Sequence, residues 1–199
     1  MKIIGFSGSP HKNGNTAWSA EKILSGAEQA GAETVLFSSS GLDIKPCRGC
    51  FSCKNGDNGC VIADDMQKVY AELQDADAIV FASPVYMGQM SGQAKVFMDR
   101  LFPTNSPRFS PHYKEHGKRK KLLLLFTQGN PDKTKFQTYL DYTKNLFEIL
   151  DYDVKEVVIV AGTRSAEAKD MDGLGESLTR AGAELVCDVC KRGNTDVER

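Results

Sequence analysis

The sequence predicts an α/β domain: a doubly wound, five-stranded parallel sheet of order 2-1-3-4-5 with helices on both faces. Three observations predict it. Five short apolar runs rich in β-branched residues recur along the chain. Each is apolar at consecutive positions, with no in/out alternation, as strands buried on both faces are. Longer segments with apolar residues at helical spacing separate them, which calls for right-handed crossovers.

The elements follow in order. Lys2–Ser7 is the first strand, and Ala17, Ala20, Ile23, Leu24 and Ala27 share one face of the helix after it. Gly31 suits the stop of that helix. Glu33–Ser38 is the second strand, and Asp64 or Asp65 can cap a helix with the stripe Met66, Val69, Tyr70, Leu73 and Ala76. Ala78–Ser83 is the third strand, and the helix after it carries Ala94, Phe97, Met98 and Leu101. The stretch 102–120 has no periodicity and holds Pro103, Pro107 and Pro111, so it reads as a functional or interfacial loop. Its basic end, Lys118 to Lys121, reads as a solvated approach to the fourth strand, Lys121–Thr127. Phe136, Leu140, Thr143, Leu146, Phe147 and Leu150 stripe the next helix, Val154–Ala161 is the fifth strand, and a helix over Asp172–Cys190 closes the fold. The expectation is one domain over 1–190, with a cysteine-rich loop at 47–60 and a flexible tail at 191–199.

Composition excludes several classes. The 199 residues carry 25 Lys+Arg against 26 Asp+Glu, without the basic excess of a nucleic-acid binder. The longest aliphatic run, Leu122–Phe126, is far short of a membrane span. Met1–Ser7 lacks the features of a signal peptide, so a cytoplasmic location is expected.

Three loops at the carboxyl ends of strands carry the chemistry. After the first strand comes Ser7-Gly8-Ser9-Pro10-His11-Lys12-Asn13-Gly14-Asn15-Thr16. Its hydroxyls, its amides and the free N–H groups of a helix N-terminus suit a phosphate dianion. It lacks the G-x-G-x-x-G of dinucleotide folds and the Gly-Lys-Ser/Thr of P-loops, so the phosphate is held and not transferred. Beyond the third strand, Ser83-Pro84-Val85-Tyr86-Met87-Gly88 offers flat or polarisable surface and amide N–H groups to a ring system. Pro84 is expected to end the ladder there. Thr127-Gln128-Gly129-Asn130-Pro131 adds donors and a permissive glycine on the same rim. A mononucleotide with an aromatic ring fits this set, and FMN fits it best.

Ser7-Gly8-Ser9-Pro10 with Asn15-Thr16, and Ser83-Pro84-Val85-Tyr86-Met87-Gly88, resemble the flavodoxin-like NADPH-dependent FMN reductase superfamily from Lys2 through the last helix. The resemblance implies FMN phosphate at Ser9, His11, Asn15 and Thr16, the isoalloxazine along Pro84, Val85, Tyr86 and Met87, and Thr127 to Gly129 flanking the ring. His11 stands where the family commonly has Arg or Lys.

Four of the six cysteines fall within fourteen residues as Cys47-x2-Cys50-x2-Cys53-x6-Cys60. The compact x2-x2 run is typical of [4Fe–4S] ligation, whereas tetrathiolate zinc comes as two separated C-x2-C pairs. Disulfides are disfavoured without export. A set of free thiols in a surface loop is the competing reading. The spacing, with Asp64-Asp65-Met66 beyond it, is similar to that of the iron–sulfur flavoproteins, which implies FMN and a [4Fe–4S] cluster on one rim of the sheet. Cys187 and Cys190 sit near a helix C-terminus, where thiolates are disfavoured, and read as packing residues. His112 and His116 read as surface residues.

The function expected is therefore an FMN-dependent oxidoreductase passing electrons between flavin and cluster, with no side chain needed as acid or base. An NAD(P)H-dependent FMN or quinone reductase with incidental cysteines is the first alternative, and a non-enzymatic thiol redox sensor the second. Family resemblance implies a homodimer or homotetramer, and a ferredoxin-like donor fits the electron-carrier reading.

Overall fold

The computed structural model describes residues 1–55, 59–104 and 119–195. Its strands are β1 (Lys2–Ser7), β2 (Glu33–Ser38), β3 (Ala78–Tyr86), β4 (Gln89–Met90), β5 (Lys121–Gln128) and β6 (Asp153–Ala161). Its α-helices are α1 (Asn15–Gln29), α2 (Met66–Asp75), α3 (Gly92–Arg100), α4 (Gln137–Ile149) and α5 (Leu174–Thr195). The sheet order is β2-β1-β3-β5-β6, all parallel, with β4 antiparallel on the outer end of β3. This is the flavodoxin-like α/β arrangement expected from the strand–helix alternation. His112, His116, Pro107 and Pro111 lie outside the described residues.

Alternation along the strands sends successive apolar side chains to opposite faces, and each face has its own core. Ile4, Phe6, Phe81, Leu122 and Leu124 pack beneath α2, α3 and α4 with Met66, Val69, Phe97, Leu140 and Phe147. Ile3, Val80, Leu123 and Leu125 pack beneath α1 and α5 with Ala20, Ile23, Leu178 and Leu185. Burying each such aliphatic or aromatic side chain contributes roughly 1.5–3 kcal/mol, which holds the helices to the sheet. α1 and α5 approach at backbone distance. A Cβ added at Gly26 would lie 1.8 Å from the Thr179 carbonyl oxygen, so only glycine permits this packing.

Two expectations about strand ends change. β3 does not stop at Ser83 but runs through Pro84, which pairs in register with Thr127 of β5. β1 has already ended at that level, its last pair being Ser7 with Ala82, so the missing proline N–H faces no strand. The basic approach to β5 is not solvated at Lys121, which is buried with its ammonium 2.7 Å from an Asp153 carboxylate oxygen. α5 continues past Cys190 to Thr195, and Cys187 and Cys190 are exposed rather than packed.

The segment between β2 and α2 is closed at its base by a buried ion pair. The Arg100 guanidinium and the Asp64 carboxylate are 1% and 0% exposed. Arg100 Nη1 donates to an Asp64 oxygen at 2.5 Å and to the Lys45 carbonyl at 2.7 Å. Asp64 also accepts from the Lys45 and Met66 N–H groups at 2.9 and 3.1 Å. Burial opposes ionisation of Asp64, but these donors outweigh it and hold its carboxyl below the usual carboxylate range. No helix among the described residues is long and apolar enough to cross a membrane.

Candidate functional site

The β1–α1 loop turns at the carboxyl end of β1, where Gly8 N–H donates to the Ala82 carbonyl at 2.8 Å. Ser9 Oγ accepts from His11 N–H at 3.1 Å, and the Ser9 carbonyl accepts from Ser39 Oγ at 2.9 Å, which fixes the loop against the end of β2. Gly14 occupies the N-cap of α1 in extended conformation, and no side chain caps the helix. The first-turn N–H groups therefore need an acceptor from elsewhere. Ser7, the last residue of β1 at the start of this loop, is fully buried, and its Oγ has no hydrogen-bond partner. Asn15 turns its Oδ1 away to accept from Ala168 N–H at 2.8 Å, which leaves its amide nitrogen as the group able to donate. His11 is exposed.

Thr16 joins this loop to the next. Its Oγ1 lies 2.6 Å from Thr127 Oγ1 in a buried hydrogen bond between the start of α1 and the end of β5. Gln128, also buried, donates from Nε2 to the Asn130 and Asp132 carbonyls at 3.0 and 2.7 Å, which folds the 128–132 turn around its side chain. Its Oε1 is buried without a partner. Gly129 faces Arg164, with which an added Cβ would be in close contact at 3.4 Å.

The third loop is a hairpin. Val85 pairs with Met90 and Tyr86 with Gln89, with Met87 and Gly88 between them at φ +49° and +81°. Two consecutive positive φ values are those of a type I′ turn, which matches the strand twist. Pro84 and Val85 are buried and half-buried, whereas Tyr86 is 44% exposed and Met87 fully exposed at the tip. Tyr139 of α4 anchors the return strand by accepting from Met90 N–H at 3.1 Å.

Ser83, known from the sequence only as the start of the hairpin motif, and Ser91, which the sequence did not single out, connect the hairpin to the β1–α1 loop. Ser91 N–H donates to Ser83 Oγ at 3.0 Å, and Ser91 Oγ donates to the Gly8 carbonyl while accepting from Ala94 N–H at 3.1 Å. A serine three residues before the first buried residue of the α3 stripe is an N-cap signal that sequence inspection could have used. The rim thus gathers an uncapped helix N-terminus, buried oxygens without partners at Ser7 and Gln128, and an exposed Tyr–Met tip. That donor set suits a phosphate and a planar ring with polar edges, and so accommodates FMN.

The cysteines do not join this rim. With Met98 and Arg100 of α3 and Leu146, Ile149 and Leu150 at the end of α4, they line a cavity of about 460 Å³. The N-terminus of α3 touches Gly8 and its C-terminus carries Arg100, roughly 13 Å further along the helix. Among the described residues, no group of three or more His, Cys, Asp and Glu side chains is placed to hold a metal ion. This overturns the [4Fe–4S] cluster expected at Cys47, Cys50, Cys53 and Cys60, and the flavin-to-cluster electron carrier built on it. The physical reason is local. The described sulfurs do not converge as a ligand set, and Cys47 Sγ accepts from Gly49 N–H and Cys50 Sγ from the Ser52 hydroxyl, both at 3.4 Å and both exposed. Cys53 is half-buried, and burial pushes its thiol pKa up. The Ser52 hydroxyl instead pulls Cys50 down.

Residues 1–153 match the family model of the NADPH-dependent FMN reductases. An iron–sulfur flavoprotein of Methanocaldococcus jannaschii is 40% identical over 103 residues, 52% of this chain and 53% of that protein. The chain thus spans about half the length of the iron–sulfur flavoproteins it matches. A Bacillus subtilis protein assigned by name to the NAD(P)H-dependent FMN-containing oxidoreductases is 26% identical over 84% of this chain and 88% of its own. Among solved structures, a flavone reductase superposes with a TM-score of 0.73 at 19% identity, covering 100% of this chain and 65% of that one. With three quarters of its length matched by one family model on a flavodoxin-like fold, the chain belongs to the NADPH-dependent FMN reductase family.

Proposed function

We propose that this protein is an FMN-dependent oxidoreductase that takes reducing equivalents from NAD(P)H and delivers them to a small acceptor such as a quinone. The observation that carries this reading is the uncapped N-terminus of α1, at the end of a loop that begins at the unpartnered, fully buried Ser7 hydroxyl. A phosphate monoester supplies the acceptor that such a helix N-terminus lacks. FMN bound there supplies hydride acceptance and donation. The family assignment and the relative from B. subtilis support the NAD(P)H-dependent reading over a cluster-linked carrier.

The chain's own part is placement. Ser9, Asn15, Thr16 and the first turn of α1 hold the phosphate, with His11 N–H bracing the Ser9 hydroxyl. Pro84, Val85, Tyr86, Met87 and Gly88 form one wall for the ring, and Thr127, Gln128 and Gly129 the other. Gln128 Oε1 is the acceptor available for a ring N–H. The exposed Tyr86 and Met87 leave one ring face open to a second reactant or to a second copy of the chain, which supports a homo-oligomer. Free thiols and a nicotinamide donor together suit a reducing, cytoplasmic setting. Titration of the FMN-free protein with FMN tests the site: saturable quenching of flavin fluorescence is expected, competed by inorganic phosphate. Quenching that phosphate leaves unchanged, with a S7A protein binding as tightly, counts against it.

A further inference from the structure

We propose that the cysteine-lined cavity is a second binding site, apart from the flavin rim, which takes small apolar α,β-unsaturated carbonyl compounds and captures them on Cys50. Its volume of about 460 Å³ lies within the range of small-molecule sites. Its floor is apolar, formed by Met98, Phe102, Leu146 and Leu150, and Phe51 and Ile149 stand 58% and 61% exposed along its wall. Such exposed large apolar residues gain from covering a ligand's hydrocarbon surface.

The polar groups of the wall narrow the chemistry. Asp99 is its one carboxylate among the described residues, and it is paired with Lys95 at 2.6 Å. The remaining functional groups among the described lining residues are four thiols, the Arg100 guanidinium paired with Asp64, and the Arg48 guanidinium, whose charge acts on Cys50. Soft nucleophiles on an apolar wall with an adjacent cation match an apolar enone: the hydrocarbon fills the floor, and the cation favours the charge that develops on the carbonyl oxygen. Cys50 shares its exposure with Cys47 and differs from it in having a side-chain donor, its sulfur accepting from the Ser52 hydroxyl at 3.4 Å. In the step, the Cys50 S–H bond breaks and a bond forms from sulfur to the β-carbon. The π pair moves onto the carbonyl as an enolate, and the proton returns to the α-carbon. No oxidant or reductant is consumed.

The test uses the full FMN-loaded chain, oxidised and without NAD(P)H, treated with benzylideneacetone or with iodoacetamide as a small polar reference. Peptide mass spectrometry reads the rate at each cysteine, with exposed Cys187 on α5, outside the cavity, as internal control. The Cys50-to-Cys187 rate ratio is expected to be roughly tenfold higher for benzylideneacetone than for iodoacetamide, and to saturate with its concentration. An I149R substitution at the exposed wall should bring the two ratios together. Equal ratios for the two reagents in the wild-type chain, with linear concentration dependence, would overturn the proposal whatever the variant does. A saturable adduct that persists in C50S on another wall cysteine would overturn the assignment to Cys50.

Discussion

Ser91 Oγ donates a hydrogen bond to the Gly8 carbonyl at 2.5 Å, across 83 residues of sequence. Gly8 belongs to the loop that would hold the phosphate, and Ser91 directly follows the hairpin that would cover the ring. The two halves of the site are therefore held in register by a single side chain, which also caps α3. Gly8 leaves no room for adjustment, since an added Cβ would lie 2.5 Å from Ala94 Cβ.

Replacing Ser91 with alanine removes the cap of α3 and leaves the Gly8 carbonyl unpaired in a buried position. Stability should fall by about 1–2 kcal/mol, read as a lower denaturation midpoint. FMN affinity should weaken in addition. A loss of stability with unchanged FMN affinity would show that the bond braces the fold without aligning the site.

Ser7 offers the opposite balance. Its hydroxyl is buried and unpartnered, so S7A should leave the FMN-free protein as stable as the wild type or slightly more so. FMN should then bind roughly tenfold more weakly, the value of one hydrogen bond to a charged group. Thermal unfolding with and without FMN separates the two effects.

The Asp64–Arg100 pair makes stability depend on pH. Because the folded-state carboxyl of Asp64 is held below its ordinary value, its contribution is complete above about pH 4. It is lost as the pH falls through the lower folded value. D64N should cost about 3–5 kcal/mol near neutrality by stranding a buried guanidinium. Its chemical-denaturation midpoint should change less with acid than that of the wild type.

At Gly26 no side chain fits. G26A would drive a methyl into the Thr179 carbonyl, and the α1–α5 interface should part at a cost of ~3 kcal/mol or more. G31A, where nothing lies within reach of an added Cβ but φ is +93°, should cost less, about 1 kcal/mol. Comparing the two thermal midpoints separates crowding from backbone strain.

The buried strands were legible because parallel strands covered on both faces leave unbroken apolar runs, and Leu122–Phe126 is all core. The helix stripes were legible for the same reason. Local pattern failed where a distant partner decides the outcome. Pro84 reads as a strand stop until one sees that β1 has already ended beside it. Asp64 reads as a helix cap and does accept from Met66 N–H, but Arg100, 36 residues away, also binds both of its oxygens, which local pattern does not show. Cysteine spacing describes which sulfurs could converge, not where they point. Here Gly49 and Ser52 hold two of them along an outer wall.

The central claim is that flavin held on this rim exchanges electrons with a nicotinamide nucleotide. Mixing the FMN-loaded protein with NADPH or NADH in the absence of oxygen, while following the visible flavin absorbance, tests it most directly. Rapid bleaching by at least one of the two, reversed by a quinone, is the predicted result. Flavin that stays oxidised with both nucleotides, yet is bleached by dithionite, would contradict it.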